Sequence, residues 1–102
     1  MATIEVTSFE ISEGNESDFQ HGLTNALPIL MRQRGYIGHE FSVSVERPQQ
    51  FWLIVHWEKL EDHTEGFRKS AAFETFVGAF RPLLAKPAAV SHFKPSERGD
   101  GG

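Results

Sequence analysis

The stretch FWLIVHW, residues 51–57, constrains the fold of this chain more than any other segment. Side chains of a strand alternate between two faces, and here one face is wholly apolar while the other is apolar except for one histidine. The two sets are Phe51, Leu53, Val55 and Trp57 on one side, and Trp52, Ile54 and His56 on the other. A strand of this kind belongs in the interior of a sheet, with a covering layer on each side.

Three further strands and a set of helices are predicted around it. TIEVTSFEI, YIGHEFSVSVE and AAVSHFK, residues 3–11, 36–46 and 88–94, have strand composition. A helix is predicted from Asn15 to about Arg34, with Gly35 placed to end it and Pro28 expected to kink or break it. A second helical stretch lies around residues 60–69, and Ser70 is predicted to cap a third helix.

This order of elements predicts an α+β fold of the ferredoxin-like, split βαβ type. Its four-stranded antiparallel sheet carries helices on one face. The other face would then expose apolar side chains of the strand at 51–57, which favours aggregation unless a symmetric partner covers them. We therefore expect a homodimer joined through the open sheet faces.

Length and composition narrow the class of protein. The 102 residues suit one domain, predicted to span 1–95, with a disordered tail at 96–102. The chain has no cysteine, a net charge of −4 and no clustered basic patch, which excludes thiolate chemistry and argues against nucleic acid. With no signal peptide and no apolar run long enough to span a membrane, a cytoplasmic protein with no membrane partner is expected.

His63 is the sharpest candidate for chemistry. It lies at helical spacing with Leu60, Thr64 and Phe67, so an ionisable imidazole falls on a stripe that should face a core. If it lines a pocket, it is a candidate general base near neutral pH. The alternative is a structural histidine that bonds a backbone carbonyl or a carboxylate.

The other histidines and the polar face of the second strand leave questions open. His39 and His56 lie on adjacent strands and share a face in some registers, but two histidines without a third ligand make a poor metal site. His21 and His92 show no pattern that indicates function. Glu40, Ser42 and Ser44 form one face of the second strand, which meets either water or a barrel interior.

The segments GYIGHEF, FWLIVHWEKLEDHTEGFRKSAAF and HFKP together resemble the antibiotic biosynthesis monooxygenase domain of the dimeric α+β barrel superfamily. The resemblance runs from about Thr3 to Pro95. It implies a ferredoxin-like protomer that dimerises into a barrel, with a pocket between sheet and helices. Similar proteins oxidise anthrones or quinols with dioxygen and without metal or flavin, whereas others degrade haem or handle small signalling molecules.

Helical spacing marks Phe67, Phe73, Phe76 and Phe80 as core residues that can also form the aromatic wall of such a pocket. Arg68 either attracts an anionic substrate at the mouth of the pocket or is simply solvated. The haem-degrading branch carries Asn, Trp and His at the places that hold Thr7, Phe67 and Val77 here. Thr7 is added to the pocket on this basis, and Val77 cannot ligate iron.

Three functions follow as hypotheses. The first is a cofactor-independent monooxygenase acting with dioxygen on a small aromatic, quinol-like or anthrone-like molecule, with His63 as general base. The second is a non-catalytic or stress-response domain that holds a small ligand in the same pocket. The third is haem degradation, which the residues at the three branch positions disfavour.

Overall fold

The computed structural model describes residues 2–101 and shows four strands, two α-helices and two short helical turns in that range. In chain order these are β1 (Thr3–Glu10), α1 (Glu16–Met31), β2 (Tyr36–Val43), β3 (Gln50–Trp57), a π-helical turn (Asp62–Phe67), α2 (Ala71–Gly78), a 3-10 turn (Arg81–Leu83) and β4 (Ala89–Phe93).

The four strands form one antiparallel sheet in the order β2-β3-β1-β4. The central position predicted for residues 51–57 is confirmed, because β3 pairs with β1 on one side and β2 on the other. In this register Val55 lies opposite Glu5, and Leu53 lies opposite Thr7. The alternating side chains of the two central strands therefore form one continuous inner face.

The helices cover that inner face, which confirms the predicted α+β ferredoxin-like architecture. Trp57 and Val55 are fully buried there, together with the apolar stripe of α1. On the opposite, outer face Trp52 remains 46% exposed and Phe93 54% exposed. No helix packs on this outer face among residues 2–101, so one side of the sheet is a core and the other is open.

Helix α1 differs from its prediction in two places. It continues through Pro28 to Met31 without the expected break. Pro28 is solvent-exposed, while Leu23 and Leu30 on the opposite side of the helix stay buried against the sheet. The helix ends before Gly35, whose positive φ of 83° belongs to the turn into β2.

The stretch after β3 is helical, but not as a regular α-helix. In the π-helical turn the Arg68 amide donates to the His63 carbonyl, five residues back, at 2.9 Å. This wider turn buries His63 and Phe67 while leaving Leu60 exposed, so the predicted four-residue stripe is only half correct. Ser70 caps α2 as predicted, its Oγ accepting from the Phe73 amide at 3.2 Å.

The register answers one question that the sequence left open and part of another. His56 lies opposite Gly38 and His39 opposite Val55, so the two histidines point to different faces and do not share a site. Glu40 and Ser42 lie opposite Ile54 and Trp52, on the outer face of the sheet.

Residues 94–101 have no regular secondary structure, and the predicted disorder of the tail stays a prediction. Among the described residues, no helix is long and apolar enough to cross a membrane.

Candidate functional site

A cavity of about 570 Å³ lies between the inner face of the sheet and the helices. Its volume falls within the roughly 300–1,000 Å³ typical of small-molecule pockets. All seven residues proposed for the pocket from sequence line this one cavity: Thr7, His63, Phe67, Arg68, Phe73, Phe76 and Phe80.

Four phenylalanines form an aromatic wall: Phe67 ends the π-helical turn, Phe73 and Phe76 lie on α2, and Phe80 directly precedes the 3-10 turn. Phe67 meets Phe73 edge to face at a centroid distance of 5.3 Å, and it meets Phe76 at 5.5 Å. Phe76 in turn meets Phe80 edge to face at 5.3 Å. Because edge-to-face contacts fix both distance and angle, the wall is a defined surface against which a flat aromatic ligand can pack.

The floor of the cavity contains a buried carboxyl group on the central strand β1. The Oε2 atom of Glu5 accepts a hydrogen bond from the Thr7 hydroxyl at 2.6 Å. Its Oε1 atom accepts from the indole Nε1 of Trp57 at 3.0 Å. A buried carboxyl with a donor on each oxygen is held in one orientation, so Glu5 is a fixed polar group in an otherwise apolar pocket.

His63 connects this carboxyl group to the edge of the sheet. Its Nε2 lies 3.4 Å from Oε1 of Glu5, and its Nδ1 lies 2.8 Å from Nε2 of His92 on β4. The imidazole also stacks on the indole of Trp57, with centroids 5.4 Å apart and planes 18° apart. His63 is buried whereas His92 is partly exposed. A continuous chain of polar atoms therefore runs from the cavity floor to the surface.

The electrostatics of the chain follow from its burial. The pKa of His63 is lowered from 6.5 to about 4, mainly by burial and to a smaller extent by the neighbouring charges of His92 and Arg68. Burial raises the pKa of Glu5, although the hydrogen bonds from Thr7 and Trp57 oppose that rise. His63 is consequently neutral at pH 7, and its close approach to Glu5 is a polar contact rather than an ion pair.

Glu5 and His92 are the site residues that the sequence argument missed. His92 shows no functional pattern in the sequence, but β4 pairs with β1 and brings its ring into hydrogen-bond distance of His63. Glu5 had a detectable feature, since it alternates with Thr7 and Phe9 on the side of β1 that packs inward. A carboxylate on the buried face of a strand is uncommon and indicates function.

No group of three or more His, Asp or Glu side chains within residues 2–101 is arranged to hold a metal ion. Glu5, His63 and His92 lie in contact, but as a chain of pairwise contacts. Nδ1 of His63 and Nε2 of His92 point at each other, so these two nitrogens do not converge on a shared metal position.

Comparison with known proteins places this architecture in one family. The family model described as antibiotic biosynthesis monooxygenase matches residues 2–79. The uncharacterized protein YczJ of Bacillus subtilis (strain 168) is 36% identical over 90 residues, which cover 88% of this chain and 95% of YczJ.

Solved structures share the fold over nearly the full chain. A Bordetella bronchiseptica protein that is provisionally named an antibiotic biosynthesis monooxygenase superposes with a TM-score of 0.90 at 33% identity, covering 94% of this chain and 98% of that one. SnoaB of Streptomyces nogalater, described as a cofactor-independent oxygenase, gives a TM-score of 0.83 at 15% identity and covers 95% of each chain.

The sheet, its single helical layer and the cavity between them define an α+β ferredoxin-like protein with an internal cavity. The chain belongs to the antibiotic biosynthesis monooxygenase family, as the family model and the level of identity to its relatives show. The likeness to SnoaB, at 15% identity, concerns the fold alone.

Proposed function

We propose that this protein is a cofactor-independent monooxygenase that oxidises a small aromatic molecule of the quinol or anthrone type with dioxygen. The observation that carries the proposal is the polar chain of Glu5, His63 and His92, which starts from two buried groups at the floor of an aromatic-lined cavity. An apolar pocket with a few fixed polar groups suits a flat, electron-rich substrate that must lose a proton.

His63 acts as the general base in this proposal. When its Nδ1–H donates to Nε2 of His92, the Nε2 atom of His63 is left as an acceptor beside the Glu5 carboxyl. A substrate hydroxyl placed there gives its proton to Nε2, and the Nδ1 proton passes to His92. His92 is a positioning residue that sets the tautomer of His63 and leads the proton toward solvent.

The reaction balances without a cofactor for an anthrone-type substrate. Deprotonation gives an electron-rich anion that transfers one electron to dioxygen, and the resulting radical pair combines to form a carbon–oxygen bond. Protonation gives a hydroperoxide at the ring carbon. The hydroxyl that His63 deprotonates is that of the enol tautomer, in which the ring carbon carries one hydrogen. Loss of that hydrogen as a proton breaks the oxygen–oxygen bond, and the hydroxide released takes up a proton, leaving a carbonyl group and one molecule of water.

The surroundings of the base serve this chemistry. The wall of Phe67, Phe73, Phe76 and Phe80 stacks the substrate and excludes water, so the anion is held next to dioxygen in a dry site. Thr7 holds the Glu5 carboxyl from the other side.

We also propose that the outer sheet face joins two copies of the chain into a homodimer. That face exposes Trp52 of β3 and Phe93 of β4. β1 lies between these two strands and contributes Ile4 and Val6 to the same face. Apolar side chains therefore run across three strands, and an apolar surface of this kind on a monomer marks an interaction surface.

Dioxygen uptake by metal-free protein is the direct test. Anthrones and quinols should be oxidised faster than their background rates, and one atom of labelled dioxygen should enter the product of an anthrone. Uptake that disappears with chelator and returns with metal would contradict the cofactor-independent mechanism.

The role of His63 is tested by His63→Leu, with His21→Leu as the matched control because His21 is exposed on α1, away from the cavity. We expect turnover to fall by about 100-fold or more in the first variant, the usual contribution of a general base, and to stay unchanged in the second. Unchanged turnover in His63→Leu would remove His63 from the mechanism and leave the oxygenase proposal standing.

A binding protein without catalysis is the second candidate. The observation that favours it is the lowered pKa of His63, about 4, because a base so weak removes a phenolic proton with difficulty. Tight binding of aromatic ligands with no oxygenated product from any of them would support this candidate.

Haem degradation is a weaker third candidate. Thr7, Phe67 and Val77 all line the cavity, but none of them ligates iron. His63 would have to leave His92 and Glu5 to do so. Titration with haemin, followed at the Soret band, should show no saturable binding at one haem per protomer, and bleaching of a bound haem on reduction under air would restore this reading.

A further inference from the structure

The mouth of the cavity is basic, although the protein as a whole is acidic. Three of the ten basic residues line the cavity, namely Arg68, Arg81 and Lys86, whereas Glu5 is the one lining residue among the fourteen Asp and Glu. The net charge of the chain is −4. The pocket therefore reverses the charge balance of the surface around it.

The three cations reach the mouth from different parts of the chain. Arg68 follows the π-helical turn, Arg81 begins the 3-10 turn, and Lys86 lies on the segment that leads into β4. Arg81 has a loose partner in Glu74, with Nη1 and Oε1 3.6 Å apart and both side chains more than half exposed. Within residues 2–101, Arg68 and Lys86 make no ion pair.

The positive charge of Arg68 extends into the site. It lowers the pKa of both Glu5 and His63, although its own side chain is solvent-exposed. A cation that acts on the cavity floor also acts on a ligand that lies between them.

The cavity is thus polar at both ends and apolar in the middle. Glu5, Thr7 and His63 supply hydrogen-bonding atoms at the floor, and the phenylalanine wall forms the middle. A ligand that satisfies both ends carries a hydroxyl group at one end of an aromatic body and an anionic group at the other.

We infer that the natural ligand is an aromatic acid, with its hydroxyl group held at the Glu5, Thr7 and His63 floor and its carboxylate or sulfonate held by Arg68 and Lys86 at the mouth. This inference rests on the proposed site but goes beyond the proposed reaction, because it specifies an anionic group that oxidation does not require. Anionic oxygens bind such cations through charge-assisted hydrogen bonds.

A matched set of three ligands tests it by calorimetry. Naphthol carries the hydroxyl group alone, naphthoate carries the carboxylate alone, and a hydroxynaphthoate carries both at opposite ends of the ring system. We expect hydroxynaphthoate to bind at least about tenfold more tightly than naphthol, with an advantage that shrinks as salt is added.

Variants of the basic residues at the mouth test which side chains hold the carboxylate of the ligand. The double variant Arg68→Gln with Lys86→Gln should lose most of the advantage of hydroxynaphthoate over naphthol while its affinity for naphthol is kept. Lys59→Gln, an exposed cation that does not line the cavity, is the control and should leave the advantage intact. Both altered side chains of the double variant are exposed, so folding should be preserved, and circular dichroism checks this.

Each outcome decides the inference. Equal affinities for naphthol and hydroxynaphthoate, no binding of either, or an advantage that survives the double variant would overturn it. Binding that follows the expected pattern without any oxidation of aromatic acids would uphold the inference while counting against the oxygenase proposal. Oxidation of neutral quinols with no preference for acids would support the oxygenase proposal and overturn the inference of an acidic ligand.

Discussion

The two faces of the sheet differ most clearly at the two tryptophans of β3. Trp57 points to the inner face, where it is fully buried, donates to Glu5 and stacks on His63. Trp52 points to the outer face and is 46% exposed. The same residue type on one strand thus serves a site on one side and an uncovered surface on the other.

The difference shows where this small fold places its polar atoms. The inner face includes a buried carboxyl and a buried imidazole among its apolar side chains, at a cost in desolvation that hydrogen bonds from Thr7 and Trp57 offset. The outer face holds exposed apolar side chains with no such network. Polar groups buried in the core indicate function on the inner face, and exposed apolar groups indicate an interface on the outer face.

The largest expected effect comes from the inner tryptophan. Trp57→Ala removes a fully buried indole and the donor to Glu5, which should lower the free energy of unfolding by about 4 kcal/mol or more. Trp52→Ala removes a half-exposed side chain and should cost less than half as much. Urea unfolding followed by circular dichroism measures both, and equal costs would contradict the contrast between the two faces.

Trp57→Phe separates burial from hydrogen bonding at this position. It keeps most of the apolar contact but leaves Oε1 of Glu5 without its indole donor. We expect a loss of roughly 1–3 kcal/mol, the usual cost of an unsatisfied buried polar group. A loss below this range would mean that Glu5 gains little from the indole.

Sequence reasoning predicted the fold well because hydrophobic periodicity carries that information. The alternation in residues 51–57 fixed β3 as a central strand, and Ser70 was recognisable as a helix cap. The alternative of a break at Pro28 is wrong, because packing of the rest of α1 against the sheet outweighs one lost hydrogen bond.

The site was less predictable, because its polar chain depends on pairing between distant strands. His63 stood out from local spacing, and the phenylalanine wall followed from helical periodicity. The partners Glu5 and His92 come from β1 and β4, whose register against each other no local pattern reports. The π-helical turn, which sets the direction of His63, also has no reliable signature in sequence.

The pH dependence of stability tests the electrostatics of the inner face. The pKa of His63 is about 4 in the folded protein and 6.5 when unfolded, so the unfolded chain binds more protons between these values. The contribution of His63 is therefore fully present above pH 6.5 and is lost as the pH falls toward 4. The free energy of unfolding of the native protein relative to His63→Gln should rise by up to roughly 3 kcal/mol across this window.

The native protein and His63→Gln both contain Glu5, so the difference between their stabilities reports the contribution of His63 to first order. The raised pKa of Glu5 acts with the opposite sign, since the folded protein then holds its proton more tightly and stability falls as the pH rises above about 4.5. His92 and Arg68 face both groups and remain in place. His21→Gln supplies the baseline for replacing an exposed histidine, and a difference for His63→Gln that is flat with pH would contradict a buried neutral imidazole.

The outer face is tested by Trp52→Glu, which places a charge in the middle of the proposed dimer interface. We expect the dimer dissociation constant to rise by about 30-fold or more, because a central aromatic side chain contributes about 2 kcal/mol or more to an interface. Sedimentation equilibrium measures this. Leu60→Glu is the matched control, since Leu60 is 39% exposed and lies off the sheet. A native protein that is monomeric at micromolar concentration would contradict the dimer proposal itself.

The smallest expected effect tests whether the aromatic wall depends on the cap of α2. The Ser70 Oγ accepts from the Phe73 amide at 3.2 Å, and its hydroxyl donates to the Phe67 carbonyl at 2.7 Å, so it joins the π-helical turn to the helix that carries the wall. Ser70→Ala should cost about 1 kcal/mol. Asn15→Ala is the control, because Asn15 precedes α1 without a side-chain hydrogen bond to it, and it should cost only a few tenths of a kcal/mol.

The consequence of Ser70→Ala should be confined to one side of the sheet. A loosened α2 shifts Phe73 and Phe76, so affinity for aromatic ligands should fall while the dimer dissociation constant stays unchanged. Calorimetry and sedimentation on the same preparation give both quantities. If the dimer weakened as well, the two faces would be coupled through the central strands, and the separation of a site on one side from an interface on the other would have to be abandoned.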